Sequence, residues 1–126
     1  MDPRHQERIN IVQNLFAITF EGIQNNQPHQ NDLVTEDIKM NLTEIDAMIA
    51  KHAPKYPLNK IAKSDLSILR LAVYELLINK KEPTKVVINE AVELAKDLGN
   101  DRSFAFVNAV LGSIIKEHID HDKTTE

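Results

Sequence analysis

The stretch Ser64–Lys80, SDLSILRLAVYELLINK, gives the clearest evidence of fold class because it is apolar over most of a helix circumference. Aliphatic side chains recur at intervals of three and four residues along one face, namely Leu66, Leu69, Val73, Leu76 and Leu77. A helix that is apolar on most sides is usually buried, so this segment is predicted to be the central helix. Ser64 is the expected N-cap, and Asp65 in the first turn complements the helix dipole.

Apolar periodicity predicts four further helices around the central one. Their expected bounds are 4–24, 33–52, 86–99 and 102–119, with a short helical turn near 58–61. Asp32 or Thr35 is expected to cap the second helix, and Pro54 and Pro57 end it near residue 51 or 52. Gly99 is expected to close the 86–99 helix in the left-handed conformation.

Composition supports an all-α fold in one domain. The chain has 126 residues, with three glycines, no tryptophan and no cysteine. Few glycines argue against hairpins and glycine-rich phosphate loops. The lack of cysteine excludes disulfides, thiolate metal sites and cysteine catalysis. A chain of this length can bury one substantial core.

The ends of the chain carry no targeting signal that the sequence reveals. The first residues, MDPRHQERINIVQNLF, lack the apolar core and cleavage site of a signal peptide. No stretch approaches the roughly 18–20 apolar residues that span a bilayer. Residues 120–126, DHDKTTE, are expected to form a frayed tail. We therefore expect a cytoplasmic protein without a membrane segment.

Charge is distributed unevenly along the chain, whose net charge is −4. Residues 1–50 carry a net −5, residues 51–85 a net +5 and residues 86–126 a net −4. A basic middle third between acidic thirds can present a local positive patch despite the acidic total. The alternative interpretation is a solvated lysine-rich surface.

Asn89 is an unusual choice within the helical stretch 86–99, because asparagine is a poor helix former. A helical wheel places it opposite the apolar face. Its side chain could bond to the 80–85 loop, or it could contact a partner or nucleotide. The spacing does not choose between these roles.

The sequence contains no convincing catalytic or cofactor-binding set. The serines lack a histidine and aspartate in a nucleophile-elbow pattern. His118 and His121 have a spacing that can ligate a metal, but they lie in or beside the expected tail without support from neighbouring groups. We expect no enzyme activity, no cofactor and no metal.

Three blocks in the second half of the chain have a distinctive order and spacing. They are LSILRLAVYELL at 66–77, KVVINEAVELAKDLG at 85–99 after Pro83, and FVNAVL at 106–111. Together they resemble the NusB family of bacterial transcription antitermination factors. The resemblance implies an all-α domain of two small helical bundles, here 1–52 and 58–119. It also implies binding of boxA RNA together with NusE, a protein of the small ribosomal subunit.

The resemblance places an RNA site near the amino terminus, where the family has an arginine-rich stretch. Here that stretch is RHQERINIVQNLF, in which the matching positions are Arg4, His5, Arg8 and Gln13. His5 stands where an arginine is usual, so fewer phosphate contacts and weaker RNA binding are expected. Arg102 would add a cation beside the last helix. Phe106 would stack on an unpaired base or pack in the core.

The same resemblance assigns residues to the protein partner. Phe16 aligns with an aromatic residue that would face NusE, and Asp65 and Arg70 align with charged positions on the same side. The alternative for Phe16 is core packing, and for Asp65 it is complementation of the helix dipole.

The sequence thus predicts an RNA-binding factor that promotes read-through of terminators, notably in ribosomal RNA operons, within the transcription elongation complex. The alternative is a protein-interaction module of the same fold that has lost most RNA affinity, which the acidic pI of about 5.7 favours. A homodimer stays open, because an apolar helix face can serve either the core or a second copy.

Overall fold

The computed structural model describes residues 2–21 and 27–119, and its regular structure is helical. The six helices are α1 (Pro3–Glu21), α2 (Leu33–Met40), α3 (Leu42–His52), α4 (Lys63–Val73), α5 (Thr84–Leu98) and α6 (Ser103–His118). A 3₁₀ turn, Leu58–Lys60, precedes α4, and a π-helical segment, Tyr74–Asn79, continues it. No strand occurs in the described ranges, and the predicted all-α class is confirmed.

Helix α4 lies at the centre of the molecule, as its apolar circumference predicts. It packs against α1, α3, α5 and α6, and every residue from Asp65 to Tyr74 is buried. Burying one large aliphatic side chain contributes about 1.5–3 kcal/mol, so the buried side chains of α4 contribute a large part of the stability of the fold. All six helices contribute to one apolar cluster, and the division into bundles 1–52 and 58–119 remains a prediction.

The predicted helix 33–52 is wrong at one position, because Asn41 separates α2 from α3. The Asn41 side-chain amide donates to the backbone carbonyl of Asp37 over 2.8 Å, and its backbone has φ −110° and ψ 14°. Short polar side chains that bond to nearby backbone compete with helical geometry. The sequence periodicity continued across this break and concealed it.

The predicted helix caps have mixed outcomes. Asp32 caps α2 as expected, since its carboxylate accepts from the backbone N–H of Thr35 at 2.7 Å. Ser64 is not a cap: α4 begins at Lys63 after the extended Ala62. Buried Ile61 anchors the chain just before the helix, which starts two residues earlier than a cap at Ser64 predicts.

Gly99 ends α5, but not in the predicted left-handed conformation. Its backbone is extended, with φ −100° and ψ −162°. A Cβ atom at this position would lie 2.3 Å from Ser103 Oγ and 2.8 Å from the carbonyl oxygen of Ala95. Glycine is therefore required by the close approach of α6, and not by a positive φ.

Two sequence expectations lie partly or wholly outside the described residues. These are the end of the first helix at residue 24 and the frayed tail 120–126. In the part of the chain that is described, no helix combines the length and apolarity needed to cross a membrane.

Candidate nucleic-acid interface

The first turns of α1 face a set of carboxylates that we name the acidic wall, comprising Glu75, Glu82, Glu90 and Asp97. Arg4 is the first residue of α1 to contact the acidic wall, since its Nη1 lies 3.6 Å from Glu82 Oε1. The Arg4 side chain is 65% exposed. Exposed pairs of this kind contribute little to stability. The Arg4 guanidinium therefore remains able to contact an anionic ligand.

His5 lies deeper against the acidic wall. Its Nδ1 is 2.7 Å from Glu90 Oε2, and its Nε2 is 3.5 Å from Asp97 Oδ2. The hydrogen bond to Glu90 raises the pKa of His5 above its usual value, with smaller support from Asp97 and opposition from burial. The ring thus keeps its positive charge to higher pH than a free histidine does.

Arg8 is buried, although it aligns with a basic position of the family's arginine-rich stretch. It is 6% exposed, and its Nε donates to Glu75 Oε1 at 2.9 Å. Burial raises the pKa of Glu75, while Arg8 opposes that shift. The pair joins α1 to the π segment after α4, so Arg8 holds the first turns of α1 in place.

The remaining predicted RNA-binding residues lie along α1 and at the start of α6. Gln13 is exposed, and its Oε1 is 2.7 Å from His29 Nε2. Arg102 is exposed immediately before α6. Phe106 packs partly against the core and makes an edge-to-face contact with Tyr56, with ring centroids 5.8 Å apart. The core contact that the sequence offered for Phe106 is present, and its stacking on an unpaired base remains a prediction.

The structure joins some of these residues and leaves others apart. Arg4, His5 and Arg8 share the acidic wall, and the His5–Asp97 contact brings them to the end of α5 that leads to Arg102. Phe106 instead pairs with Tyr56, in the connection between α3 and α4. Among the described residues, no aromatic or polar contact links Phe106 to the acidic wall.

Sequence reasoning missed Tyr56 and the acidic wall. Tyr56 lies between two prolines in an exposed connection, a position where a large aromatic side chain is a usable signal for binding. The acidic wall left no local signal, because its members come from three separate stretches of sequence.

The second half of α1 borders what we name the aromatic groove, a depression of about 540 Å³. It is lined by Val12, Gln13, Phe16, Ala17, Pro28, Ser64 and Leu98. Phe16 is 40% exposed and packs edge-to-face on Phe20, which is 60% exposed. Lys63 Nζ lies 4.9 Å from the Phe20 ring centroid, so a cation borders the apolar surface. Phe16 is therefore not a core residue in this chain.

Arg70 and Asp65, the two other predicted partner-binding residues, are buried. The Arg70 guanidinium donates to both Asp46 carboxylate oxygens at 2.9 Å and to Thr19 Oγ1 at 3.3 Å. It thereby ties α4 to α3 and α1. Asp65 Oδ1 is buried in the first turn of α4 and has no hydrogen-bond partner among residues 2–21 and 27–119, but the helix dipole stabilises its charge. Neither residue presents an exposed charge, and their roles at a partner interface remain predictions.

Asn89 is exposed on α5, and in the described part of the chain its side chain makes no hydrogen bond to the 80–85 loop.

A group of side chains that could hold a metal ion lies where α3 and α6 end. It consists of His52, Glu117 and His118.

Comparison with known proteins identifies the family. The NusB family model matches residues 4–116. The transcription antitermination protein NusB of Thermotoga maritima is 45% identical over 86 residues, which are 68% of this chain and 61% of that protein. The protein of the same name from Clostridium novyi is 37% identical over 92% of this chain and 87% of its own length. These relatives are named for a role in transcription, which agrees with the prediction that the chain is not an enzyme.

Solved structures agree with the sequence comparison. NusB from Thermotoga maritima superposes with a TM-score of 0.83 at 32% identity, covering 98% of each chain. A structure of the antitermination factors NusB and NusE in complex with double-stranded RNA matches with a TM-score of 0.74 over 94% of this chain; at 22% identity, this likeness shows the fold alone. The alignment with the Thermotoga maritima sequence spans less than two thirds of that protein, whereas the family model covers nearly the whole described chain. From the family match and the shared fold together, we conclude that this chain belongs to the NusB family.

Proposed function

We propose that this chain is an RNA-binding transcription antitermination factor that binds boxA-type RNA together with NusE. The observation that carries the proposal is the family match over residues 4–116, since its members are named transcription antitermination proteins. A protein of this fold has also been crystallised with NusE and double-stranded RNA. In this role the chain promotes read-through of terminators, notably in ribosomal RNA operons, within the elongation complex in the bacterial cytoplasm.

The RNA surface that we propose runs from the first turns of α1 to the start of α6. Arg4 and Arg102 contact phosphates, and protonated His5 adds positive charge between them. Gln13 donates to a base or ribose, and an unpaired base stacks beside Phe106 on the exposed face of Tyr56. Arg8 acts indirectly, because its ion pair with Glu75 positions the helix that carries Arg4.

The NusE surface that we propose is the aromatic groove. Phe16 and Phe20 offer apolar area that folding leaves exposed, and Lys63 gives the rim a positive charge. Exposed aromatic side chains of this kind are frequent binding hot spots. Asp65 and Arg70 are buried in α4, and Arg70 sets the geometry of this surface by tying α4 to α3 and α1.

A binding experiment with a labelled boxA-like single-stranded RNA tests this function. Affinity is measured at two salt concentrations, with and without NusE, and beside an RNA of scrambled sequence. Two phosphate contacts predict a slope of log K against log salt of about −1.4. We expect NusE to strengthen binding to the boxA-like RNA more than binding to the scrambled RNA. Equal binding of the two RNAs with NusE present would contradict the proposal.

A protein-interaction module without RNA binding is the second candidate. It is favoured by the acidic wall, which pairs with His5 and Arg8 and leaves Arg4 as the exposed cation of that surface. This candidate predicts NusE binding without any gain in RNA affinity.

Whether the chain forms a homodimer is a separate question. Light scattering on the purified chain would answer it.

A further inference from the structure

The carboxyl-terminal ends of α3 and α6 bring together three metal-binding side chains, His52, Glu117 and His118. Glu117 Oε2 is 2.8 Å from His52 Nε2 and 3.6 Å from His118 Nε2. One donor atom from each residue lies within 4.8 Å of the other two. Two imidazole nitrogens and one carboxylate oxygen form a donor set that proteins use for Zn²⁺.

The donor atoms are oriented by neighbouring groups, as metal ligands usually are. His52 Nδ1 lies 2.7 Å from Ser113 Oγ, and when Nδ1–H donates to this oxygen, Nε2 presents its lone pair to the cluster. Lys51 Nζ lies 2.6 Å from Glu117 Oε1, which leaves Oε2 for the two imidazoles. His52 Nε2 and Glu117 Oε2 therefore face each other at the place where His118 Nε2 also approaches.

Two of these donor atoms are buried ring nitrogens that face the same carboxylate oxygen. The His52 side chain is only 5% exposed, and its Nε2 meets Glu117 Oε2 at 2.8 Å. His118 Nε2 is also a buried atom, and it lies 3.6 Å from the same oxygen, beyond hydrogen-bond distance. Buried polar atoms are nearly always satisfied, so two ring nitrogens that share one carboxylate oxygen call for an explanation.

We propose that His52, Glu117 and His118 bind a divalent ion of the zinc class, with water as the fourth ligand. Bonds of about 2.0–2.1 Å in a tetrahedral site separate ligand atoms by about 3.3–3.4 Å. The distance between Glu117 Oε2 and His118 Nε2, 3.6 Å, is already close to this value. The distance between Glu117 Oε2 and His52 Nε2, 2.8 Å, must increase by about half an ångström, and a rotation of the half-exposed Glu117 side chain can supply this change. A bound ion would link α3 to α6 and give both buried ring nitrogens a bond to the metal.

Titration of the untagged full-length chain with Co²⁺ tests the site, because Co²⁺ substitutes for Zn²⁺ and absorbs visible light. We expect one ion per chain, displacement by Zn²⁺ and a higher melting temperature with Zn²⁺ present. His52→Ala and Glu117→Gln should abolish the absorption band or weaken affinity strongly. Ser113→Ala should weaken affinity by about 10- to 100-fold, because it removes only the group that orients His52.

His29→Ala is the matched control, since His29 contacts Gln13 and lies outside the cluster. This variant should bind Co²⁺ like the wild type. Glu117 is half-exposed, so Glu117→Gln should keep the helical circular dichroism spectrum even if His52→Ala unfolds the chain. Absence of Co²⁺ binding by the wild type, or unchanged affinity in Glu117→Gln, would overturn the proposal. Loss of binding in His121→Ala with retention in His52→Ala would place the metal on the tail instead.

Discussion

The two halves of α1 pack against the same core but present opposite chemistry outward. Residues 3–10 carry Arg4, His5 and Arg8, and each of these cations meets a carboxylate of the acidic wall. Residues 12–20 carry Phe16 and Phe20, whose rings contact each other and are 40% and 60% exposed. One half has its charges largely satisfied within the chain, whereas the other has apolar area that the described part of the chain leaves uncovered.

This difference separates two kinds of binding. A polyanion at the first half must compete with carboxylates for the cations, so its affinity is limited and sensitive to salt. A protein at the second half displaces water from exposed rings without breaking any ion pair. The comparison therefore predicts that the partner surface is stronger than the RNA surface, and that NusE comes before RNA in assembly.

The largest effect is expected from Arg8→Ala, which tests whether the charged half is also structural. Removing one member of a buried ion pair leaves Glu75 unpaired and should lower the free energy of unfolding by about 3–5 kcal/mol. Urea denaturation measures the loss. The double variant Arg8→Met with Glu75→Gln should recover most of it, because no buried charge remains. A cost below about 1 kcal/mol for Arg8→Ala would show that the pair is not structural.

Phe16→Ala tests the aromatic half and should act on NusE binding. Truncating a hot-spot aromatic residue costs about 2 kcal/mol, or roughly thirtyfold in affinity, measured by calorimetry. Phe104→Ala is the control, because Phe104 is 45% exposed on α6 and contacts Lys96. Equal losses of NusE affinity in both variants would mean that the groove isn't the partner surface.

Arg4→Ala tests the exposed end of the charged half. Its pair with Glu82 is open to solvent, so stability should change by less than about 0.5 kcal/mol. RNA affinity should fall several-fold at low salt, and the salt slope should decrease in magnitude by about 0.7. Anisotropy titrations at two salt concentrations measure both. Lys116→Ala, an exposed cation at the other end of α6, should leave RNA binding unchanged.

The smallest expected effect is the contribution of His5 to the pH dependence of the free energy of unfolding. Its pKa is raised in the folded state, so its contribution to stability is complete below about pH 6.5 and declines as pH rises through the folded pKa. The stability difference between the wild type and His5→Ala should therefore shrink from pH 6 to pH 8, and stay below about 1 kcal/mol throughout. Urea denaturation at three pH values checks this trend, with His29→Ala as the control. A difference that grows with pH would contradict the raised pKa.

The amino-acid sequence was sufficient to predict the all-α class and the central position of α4, and it limited the cap of α2 to Asp32 or Thr35. Each depends on residues within about one helical turn of one another, where spacing along the chain equals position on the helix. An apolar circumference from Leu66 to Leu77 leaves burial as the stable outcome. The family resemblance likewise rested on blocks whose spacing is readable from the sequence.

Helix packing, which the sequence does not show, controls which of the predicted site residues are exposed to a partner. Arg8 meets Glu75 across 67 positions, and His52 meets Ser113 across 61. Gly99 is needed because Ser103 of α6 lies beside it, and Phe16 stays exposed because none of the described helices covers it. Such pairs form when helices pack, and packing depends on the whole set of buried faces at once. Local spacing carries no information about which distant side chain fills a given position.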